Sequence, residues 1–270
     1  FYSVFKGADE HLQFVLLTGV TKFSQVSVFS GFNQPKDISL DGRYEALCGI
    51  TEEELYHVFA DAIERLGIKY KYTLEQIKEK LKKQYDGYHF SDELTDIYNP
   101  FSILNVFDSN RIADYWFSTG TPTYLIRLLT HTQENLNELT GKYYDPSQFI
   151  DYKADVEMPL PMIYQSGYLT IKDCDLDMGT FLLDFPNDEV KKGFVTLVAN
   201  NYLQSEKDSG SWARDIVGAL KTGDLEQVRK LLTSFLADIP YTMRRKETER
   251  ERERYFHYTF YLLMRMVSCY

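Results

Sequence analysis

The sequence lacks the features that mark several common classes of protein. It has only 3 cysteines in 270 residues, which is too few for a disulfide framework. No apolar run approaches the roughly 20 residues that a membrane-spanning helix needs. The 30 Lys and Arg residues are outnumbered by 40 Asp and Glu, for a formal net charge of −10. We therefore expect no membrane span and no broad basic surface for nucleic acid.

Motifs for covalent chemistry are also scarce. The cysteines at 48, 174 and 269 form no Cys-x-x-Cys pair, which predicts free thiols in a reducing cytoplasm. Neither a Gly-x-Ser-x-Gly turn nor a GxxxxGK[ST] phosphate loop occurs. The acid-x-Lys triplets Asp151–Lys153 and Glu189–Lys191 resemble nuclease motifs, but such short triplets arise often by chance.

Apolar and aromatic residues are abundant. Hydrophobic residues make up 44 % of the chain and aromatic residues 15 %, with 21 Tyr and 18 Phe. This composition is typical of a folded protein with a sizeable core and argues against disorder. The length allows one large domain or two ordinary ones.

The run Phe14–Leu17 is followed by Thr18 and Gly19. Its unbroken apolar sequence predicts a strand buried on both faces, as in a parallel sheet covered by helices. A polar residue at the end of such a strand is where α/β proteins hold ligands, so Thr18 is a candidate contact to a phosphate or its attacking water. The alternative is that Thr18 only satisfies the backbone at the strand end.

Helix signals dominate the rest of the chain. The segments 51–67 and 73–87 each begin with a capping box, carry an apolar stripe and end at a glycine. Asn99-Pro100 and Thr121-Pro122 predict two further helix starts. After the segment 73–87, Tyr88–Phe90 and Ile97–Tyr98 flank a polar turn and predict a short hairpin.

The middle of the chain changes character. Met158–Tyr164 is a short helix candidate that ends at Gly167, and strands are predicted at Tyr168–Ile171 and Thr180–Leu183 around an acidic turn. This order is similar to the second half of a winged helix. A plain hairpin packed on helices is the alternative.

Two more helices are predicted near the C-terminus, capped by Asn187 and Asp224. The segment Gln204–Ser211 predicts a loop. The charge run Arg244–Tyr255 alternates in sign, which favours a solvated helix with i,i+3 ion pairs over a basic patch.

The histidines form no clear metal site. His57 follows Glu53 and Glu54 on one helix, but a metal site of that type needs a second such set, so we predict a surface histidine. Asp86-Gly87-Tyr88 is best explained as a helix stop followed by a turn in which Gly87 has a positive φ. A binding role for Asp86 or Tyr88 is the alternative.

Many segments, in order, resemble an AAA-ATPase-like family common in Bacteroidetes. They are FVLLTGVTKFSQVSVFSGFNQPKDISLD, YEALCGITEEEL, LKKQYDGYHF, IYNPFSILN and YWFSTGTPTYLIRLL. The later segments SGYLTIK, DFPNDEVKKGF, the IPY at Ile239–Tyr241 and ERYFHYTFYLLMRM are similar to the family's middle region and the approach to its C-terminal domain. The resemblance covers nearly the whole chain.

This resemblance implies a P-loop NTPase core before LTGVTKFS and a PD-(D/E)XK nuclease superfamily domain after YFHYTFYLL. Because neither part is in the sequence and both ends look cut, we expect an internal part of such a protein. By position, Thr18 resembles the family's sensor residue for nucleotide, with Lys22 on the same loop. ATP and Mg²⁺ are expected in the full-length parent, and no cofactor is expected for this chain alone.

We therefore predict a mainly α fold with small β elements. The expected parts are a remnant of a P-loop α/β core at 1–42, a helical lid with a short hairpin at 43–132, a winged-helix-like segment at 133–190 and a helical connector with helical hairpins at 191–270. The expected function is that of a fragment of an ATP-binding protein, inactive alone.

The expected partners are the ATPase core and the nuclease-like domain of the same protein, in the cytoplasm and without a membrane. The first alternative is a helical or winged-helix module that contacts protein or DNA. The second is a regulatory region associated with a nuclease. The sequence sets no oligomeric state.

Overall fold

The computed structural model describes residues 7–19, 36–116, 139–150, 159–203, 209–238 and 249–270. Across these ranges the chain is mainly helical with small sheets, which confirms the predicted fold class. The helices are α1 (Glu52–Val58), α2 (Ala60–Tyr70), α3 (Leu74–Tyr85), α4 (Pro100–Ser109), α5 (Pro146–Phe149), α6 (Leu160–Gln165), α7 (Asp188–Leu203), α8 (Ser209–Thr222), α9 (Leu225–Asp238) and α10 (Glu249–Val267). The strands are β1 (Ile50–Thr51), β2 (Ile97–Tyr98), β3 (Lys142–Tyr144), β4 (Thr170–Asp175) and β5 (Thr180–Asp184).

The strands form two small antiparallel sheets in the described part of the chain. β1 pairs with β2, and Tyr88 forms an isolated bridge with Ile97 on the other side of β2. The predicted hairpin at 88–98 is therefore confirmed in a minimal form. The second sheet has the order β3-β5-β4, with α5 and α6 lying between β3 and β4 in the chain.

Both predicted capping boxes are present. Thr51 and Glu54 cap α1, and Thr73 and Gln76 cap α3, with side chain and backbone bonded reciprocally in each. The single helix predicted over 51–67 is wrong, because the chain breaks at Phe59 into α1 and α2. The spacing of neighbouring residues predicts the helix caps, but it does not predict this break.

The predicted stop at Gly67 is also wrong. Gly67 is buried inside α2, and the helix continues to Tyr70, where Lys71 adopts a left-handed φ of 57° and ends it. A side chain at Gly67 would lie 3.3 Å from the carbonyl oxygen of Tyr72, so this glycine serves close packing. Gly87, in contrast, follows α3 with a φ of 87°, as predicted.

Three further helix starts match their predicted caps. The Asn99 side chain accepts from the backbone N–H of Ser102 at the start of α4. Asn187 and Asp224 accept likewise at the starts of α7 and α9. The loop predicted at Gln204–Ser211 is wrong at its end, because α8 begins at Ser209.

Two hydrophobic cores organise the described residues. The N-terminal core consists of Leu55, Ile63, Leu66, Ile77, Leu81, Tyr85, Tyr98, Ile103 and Val106. The C-terminal core is larger, joins the β3-β5-β4 sheet to α6 through α10, and includes Tyr88, Ile97, Phe149, Tyr168, Phe194, Trp212 and Phe235. The chain therefore passes from one core to the other between Tyr85 and Tyr88, and again between Ile97 and Tyr98.

The buried strand predicted at Phe14–Leu17 is wrong for this chain. These residues belong to neither a helix nor a strand, and all four side chains are exposed, with Phe14 at 80 %. The predicted helix start at Thr121-Pro122 and the first part of the charge run, Arg244–Thr248, lie outside the described residues. The remainder of that run opens α10.

Candidate functional site

The segment Asp86–Phe90 lies at the junction of the two cores. Gly87 has no room for a side chain, since a Cβ there would lie 2.5 Å from the carbonyl oxygen of Pro186. Lys172 of β4 donates to the carbonyl oxygen of Gly87 at 2.7 Å and to that of Pro186 at 2.9 Å. Asn187 donates to the carbonyl oxygen of Asp86 at 2.9 Å. These contacts clamp the end of α3 onto β4 and the start of α7.

His89 is held from all sides. Its Nδ1 lies 2.8 Å from the carbonyl oxygen of Ile171, and its Nε2 lies 2.8 Å from a carboxylate oxygen of Asp96. Thr170 accepts from the His89 backbone N–H and donates to its carbonyl oxygen. Both ring nitrogens therefore face oxygen atoms of neighbouring residues. Both nitrogens are thus committed to structural contacts, which leaves neither for catalysis.

Lys82 lies among three carboxylates. Its Nζ is 3.0 Å from Asp96, 3.7 Å from Glu52 and 3.8 Å from Asp86. The hydrogen bond to Asp96 is the largest cause of a raised pKa for Lys82. Burial opposes ionisation of Asp96, but its hydrogen bonds to His89 and Lys82 outweigh burial and lower its pKa.

Asp86 is the least satisfied member of this cluster. It is only 2 % exposed, and neither of its carboxylate oxygens has a hydrogen-bond partner. Burial raises its pKa to about 6, and the Gly87 amide and Lys82 offset only part of that rise. Lys82 supplies the nearby positive charge to all three carboxylates. Across the residues described, no group of His, Cys, Asp and Glu is arranged to hold a metal ion.

A cleft of about 440 Å³ opens beside this cluster, and we call it the junction cleft. Residues from both cores and from the linking segments form its wall. They include Gly19, Ser39, Leu40, Cys48, Tyr88, His89, Phe90, Ile97, Tyr98, Asn99, Trp116, Ile150, Tyr164, Gln165, Ser166, Gly167 and Thr170. Concave sites of this size at the junction of two packed units are typical places for ligands.

Glu189 has a structural role that explains one of the two nuclease-like triplets. It is fully buried on α7 and accepts hydrogen bonds from the Ser102 hydroxyl at 2.6 Å and from the backbone N–H groups of Tyr115 and Trp116. Burial raises its pKa, and these hydrogen bonds lower it in part. Both of its carboxylate oxygens accept hydrogen bonds from the fold. The other triplet, Asp151–Lys153, lies outside the described residues.

The structure describes one of the two predicted nucleotide contacts. Thr18 is exposed and lies in neither a helix nor a strand, although its neighbour Gly19 lines the junction cleft. Lys22 lies outside the described residues. His57 is exposed, as predicted. All three cysteines are free thiols in the structure, and Cys48 is the exposed one.

Sequence reasoning missed the clamp around Asp86–Phe90. It predicted the positive φ of Gly87 from the Asp-Gly pair, but it assigned no partner to His89, Lys82 or Asp96. Thr170 and Ile171 lie 81 and 82 residues beyond His89, and Lys172 lies 85 residues beyond Gly87. Local signals are the seven-residue spacing of His89 and Asp96 across the hairpin turn and the i,i+4 spacing of Lys82 and Asp86.

Comparisons with known proteins give one informative match. No protein-family model and no solved structure matches the chain. The chain is 32 % identical over 262 residues to a protein of Azotobacter chroococcum mcd 1 named "Uncharacterized protein in vnfD 5'region". The match covers 96 % of this chain and 48 % of that relative. No described helix has both the length and the apolar character required to span a bilayer. The chain thus spans about half the length of the curated relative it matches.

Proposed function

We propose that this chain is the helical and winged-helix-like part of an AAA-ATPase-like protein, and that it joins an ATPase core to further parts of the protein. The parent would bind and hydrolyse ATP with Mg²⁺ in the cytoplasm and could carry a PD-(D/E)XK nuclease-like domain. The chain alone would need no cofactor and would be inactive, because it contains no phosphate loop. The resemblance of FVLLTGVTKFS, LKKQYDGYHF and IYNPFSILN to that family motivates this proposal.

One observation carries it. The apolar residues Phe14, Val15, Leu16 and Leu17 are exposed in a row, directly before Thr18. Exposed apolar runs of this kind mark surfaces that another element covers. A strand-forming sequence is best covered by a sheet, and a P-loop core would supply one. Thr18 would then stand at the end of a core strand, in the place of a nucleotide sensor, with Lys22 on the loop behind it.

The order of elements between 142 and 184 also supports the proposal. A strand, two short helices and a hairpin follow one another, and the first strand pairs with the last. This order is similar to that of a winged helix without its first helix. The hairpin of β4 and β5 would be the wing.

The test uses ATP hydrolysis in two samples. The purified chain should show no Mg²⁺-dependent hydrolysis. The longer protein that contains it should hydrolyse ATP, and Thr18→Ala should lower kcat by at least about tenfold, the worth of one good hydrogen bond to the transition state. Thr222→Ala, at an exposed position at the end of α8, is the matched control and should leave kcat unchanged. Hydrolysis by the chain alone that is lost on Thr18→Ala would overturn the proposal.

A contact module is the second candidate, and the wing favours protein over DNA as its partner. The turn between β4 and β5 exposes Leu176 and Met178 at 75 % and 74 %. Asp173, Asp175 and Asp177 surround them, and these charges would repel a phosphate backbone. The preceding helix α6 has no basic residue, and half of its side chains are buried.

Anisotropy titrations with a labelled DNA duplex at two salt concentrations separate these partners. We expect no salt-sensitive binding by the chain. Binding that weakens steeply with salt would establish the DNA module instead, because counterion release gives phosphate contacts that dependence.

A further inference from the structure

We propose that the junction cleft binds an uncharged small molecule that presents a flat aromatic ring and a few hydrogen-bonding groups. This inference is independent of the proposed ATPase relationship, since it uses neither Thr18 nor any phosphate contact. It rests on the size of the cleft, on the rings in its wall, and on the absence of charged side chains among the described residues that line it.

The rings come from separate elements and are held in place. Tyr88 and Phe90 stack with their centroids 6.2 Å apart and an angle of 12° between their planes. The Tyr88 hydroxyl donates to the carbonyl oxygen of Gly167 at 3.1 Å, which fixes the ring against α6. The rings of Trp116 and Tyr168 pack edge to face, with their centroids 4.9 Å apart. A wall of rings that are already ordered costs little entropy when a planar ligand binds, and it offers stacked and edge-on contacts.

The wall also has a distinctive charge pattern. Charged residues make up 26 % of the sequence, yet none of the described residues that line the cleft is Asp, Glu, Lys or Arg. The imidazole ring of His89 has both nitrogens committed to Ile171 and Asp96. A phosphate, carboxylate or ammonium entering the cleft would lose its hydration without gaining a counter-charge. The cleft therefore selects against charged ligands.

Polar groups in the wall are neutral and few. Ser39, Ser166, Asn99 and Gln165 bring hydroxyl and amide groups to the cleft. Hydroxyl oxygens keep acceptor capacity after they donate, so Ser39 and Ser166 can still accept from a ligand. Aromatic surface with several neutral polar groups is the usual composition of a small-molecule site, and the volume of about 440 Å³ lies within its usual range.

Cys48 gives a direct test, because it lines the cleft and is an exposed free thiol. The Cys174→Ser, Cys269→Ser variant is equilibrated with three small disulfide probes. The first carries an uncharged naphthyl group, the second a naphthyl group with a carboxylate, and the third a naphthyl group with an ammonium. The Cys48 thiolate attacks the disulfide, forms a mixed disulfide and releases the small thiol. Intact-mass spectrometry should show half-capture of the uncharged probe at about tenfold lower concentration, because the charged groups lose hydration in the cleft without gaining a counter-charge.

A matched control separates binding in the cleft from differences in the intrinsic reactivity of the three probes. Thr233→Cys with Cys48→Ser places the thiol on the exposed face of α9. Capture there should not distinguish the three probes. Ser39→Trp, on the exposed rim of the cleft, should fill part of it and abolish the preference at Cys48 while leaving capture of a methyl disulfide unchanged. Should the double Ser background not fold, the wild-type chain and peptide mapping at Cys48 give the same readout.

Equal capture of charged and uncharged probes at Cys48 would overturn the proposal, as would an unchanged preference in Ser39→Trp. Preferential capture of a Phe-containing peptide disulfide over the free naphthyl probe would also overturn it, in favour of a protein ligand. Absence of ATP hydrolysis has no bearing on any of these outcomes.

Discussion

The ammonium group of Lys172 donates a 2.7 Å hydrogen bond to the carbonyl oxygen of Gly87, 85 residues earlier in the chain. The same group reaches the carbonyl oxygen of Pro186, so one half-buried lysine ties the end of α3 to β4 and to the segment before α7. Burial lowers the pKa of Lys172. The backbone at Gly87 must approach closely for this clamp to form, and that requirement can be tested.

Gly87→Ala should strongly destabilise the protein. A side chain there combines a positive φ, which costs an L-residue roughly 1–2 kcal/mol, with a Cβ 2.5 Å from the carbonyl oxygen of Pro186. Overpacking adds about 1–3 kcal/mol, so we expect the free energy of unfolding to fall by about 2–5 kcal/mol. Urea titration followed by circular dichroism measures it.

Gly223→Ala is the matched control for that experiment. Gly223 also has a positive φ, 72°, but nothing lies within 4 Å of a Cβ placed on it. Only the conformational cost of about 1–2 kcal/mol should appear. Equal losses in the two variants would show that the close approach to Pro186 contributes nothing.

Asp86→Asn should change how stability depends on pH. The folded state raises the pKa of Asp86 from 3.8 to about 6, so the folded protein holds a proton between those values that the unfolded chain has lost. The contribution of Asp86 to stability is therefore full below about pH 4 and is lost as the pH rises through about 6. The shift corresponds to about 3 kcal/mol. Relative to wild type, Asp86→Asn should gain up to that amount between pH 4 and pH 7.

Urea titrations at the two pH values test this difference. Asp61→Asn, at an exposed position on α2, serves as the control and should track the wild type at both. If the free energy of unfolding of Asp86→Asn changes with pH as that of the wild type does, the Asp86 carboxyl group is ionised at both pH values and is solvated or paired in solution.

Local parts of this fold follow from the sequence. The caps at Thr51, Thr73, Asn99, Asn187 and Asp224 were all predicted, because a capping side chain bonds a backbone group two or three residues away. Such short-range chemistry is visible in spacing alone. The mainly helical class follows from the same signals.

The junction and its cleft do not follow in that way. His89 was placed in a hairpin, but its contacts with Ile171 and Thr170 depend on how two cores meet. Val58 lies within the segment 51–67 that was predicted as one helix, yet it ends α1 directly before the break at Phe59 and is 66 % exposed. Long-range packing decides such positions, and one sequence does not encode it in any short pattern.

Glu189→Ala should cost more stability than most single changes. The substitution strands the Ser102 hydroxyl and the N–H groups of Tyr115 and Trp116, all of which Glu189 accepts from. An unsatisfied buried donor costs about 1–3 kcal/mol, so a loss of about 3 kcal/mol or more is expected. Glu189→Gln keeps an acceptor oxygen and should recover part of it. Thermal unfolding of the three proteins gives the comparison.

Glu253→Ala is the control for Glu189, because Glu253 is an exposed acid on α10. Its effect should stay within about 0.5 kcal/mol. A loss in Glu189→Ala no greater than that would mean that water replaces the carboxylate at α4 and α7, contrary to the burial described above.

Phe14→Ser should leave the fold intact and change its association. The Phe14 side chain is 80 % exposed, so its removal takes little apolar surface out of the interior, and the free energy of unfolding should shift by less than about 0.5 kcal/mol. Phe149→Ala is the contrasting variant, since Phe149 is fully buried in the C-terminal core and should cost about 3–5 kcal/mol.

Association gives the second readout for Phe14. An exposed apolar run that lacks its covering sheet favours contacts between copies of the chain, so sedimentation velocity of the wild type should show concentration-dependent association. Phe14→Ser combined with Leu16→Ser should reduce it, whereas Ile68→Ser, at an isolated residue that is 73 % exposed, should not. If all three proteins sediment alike, the exposed run at 14–17 does not mediate association, and no covering sheet is needed to explain its exposure.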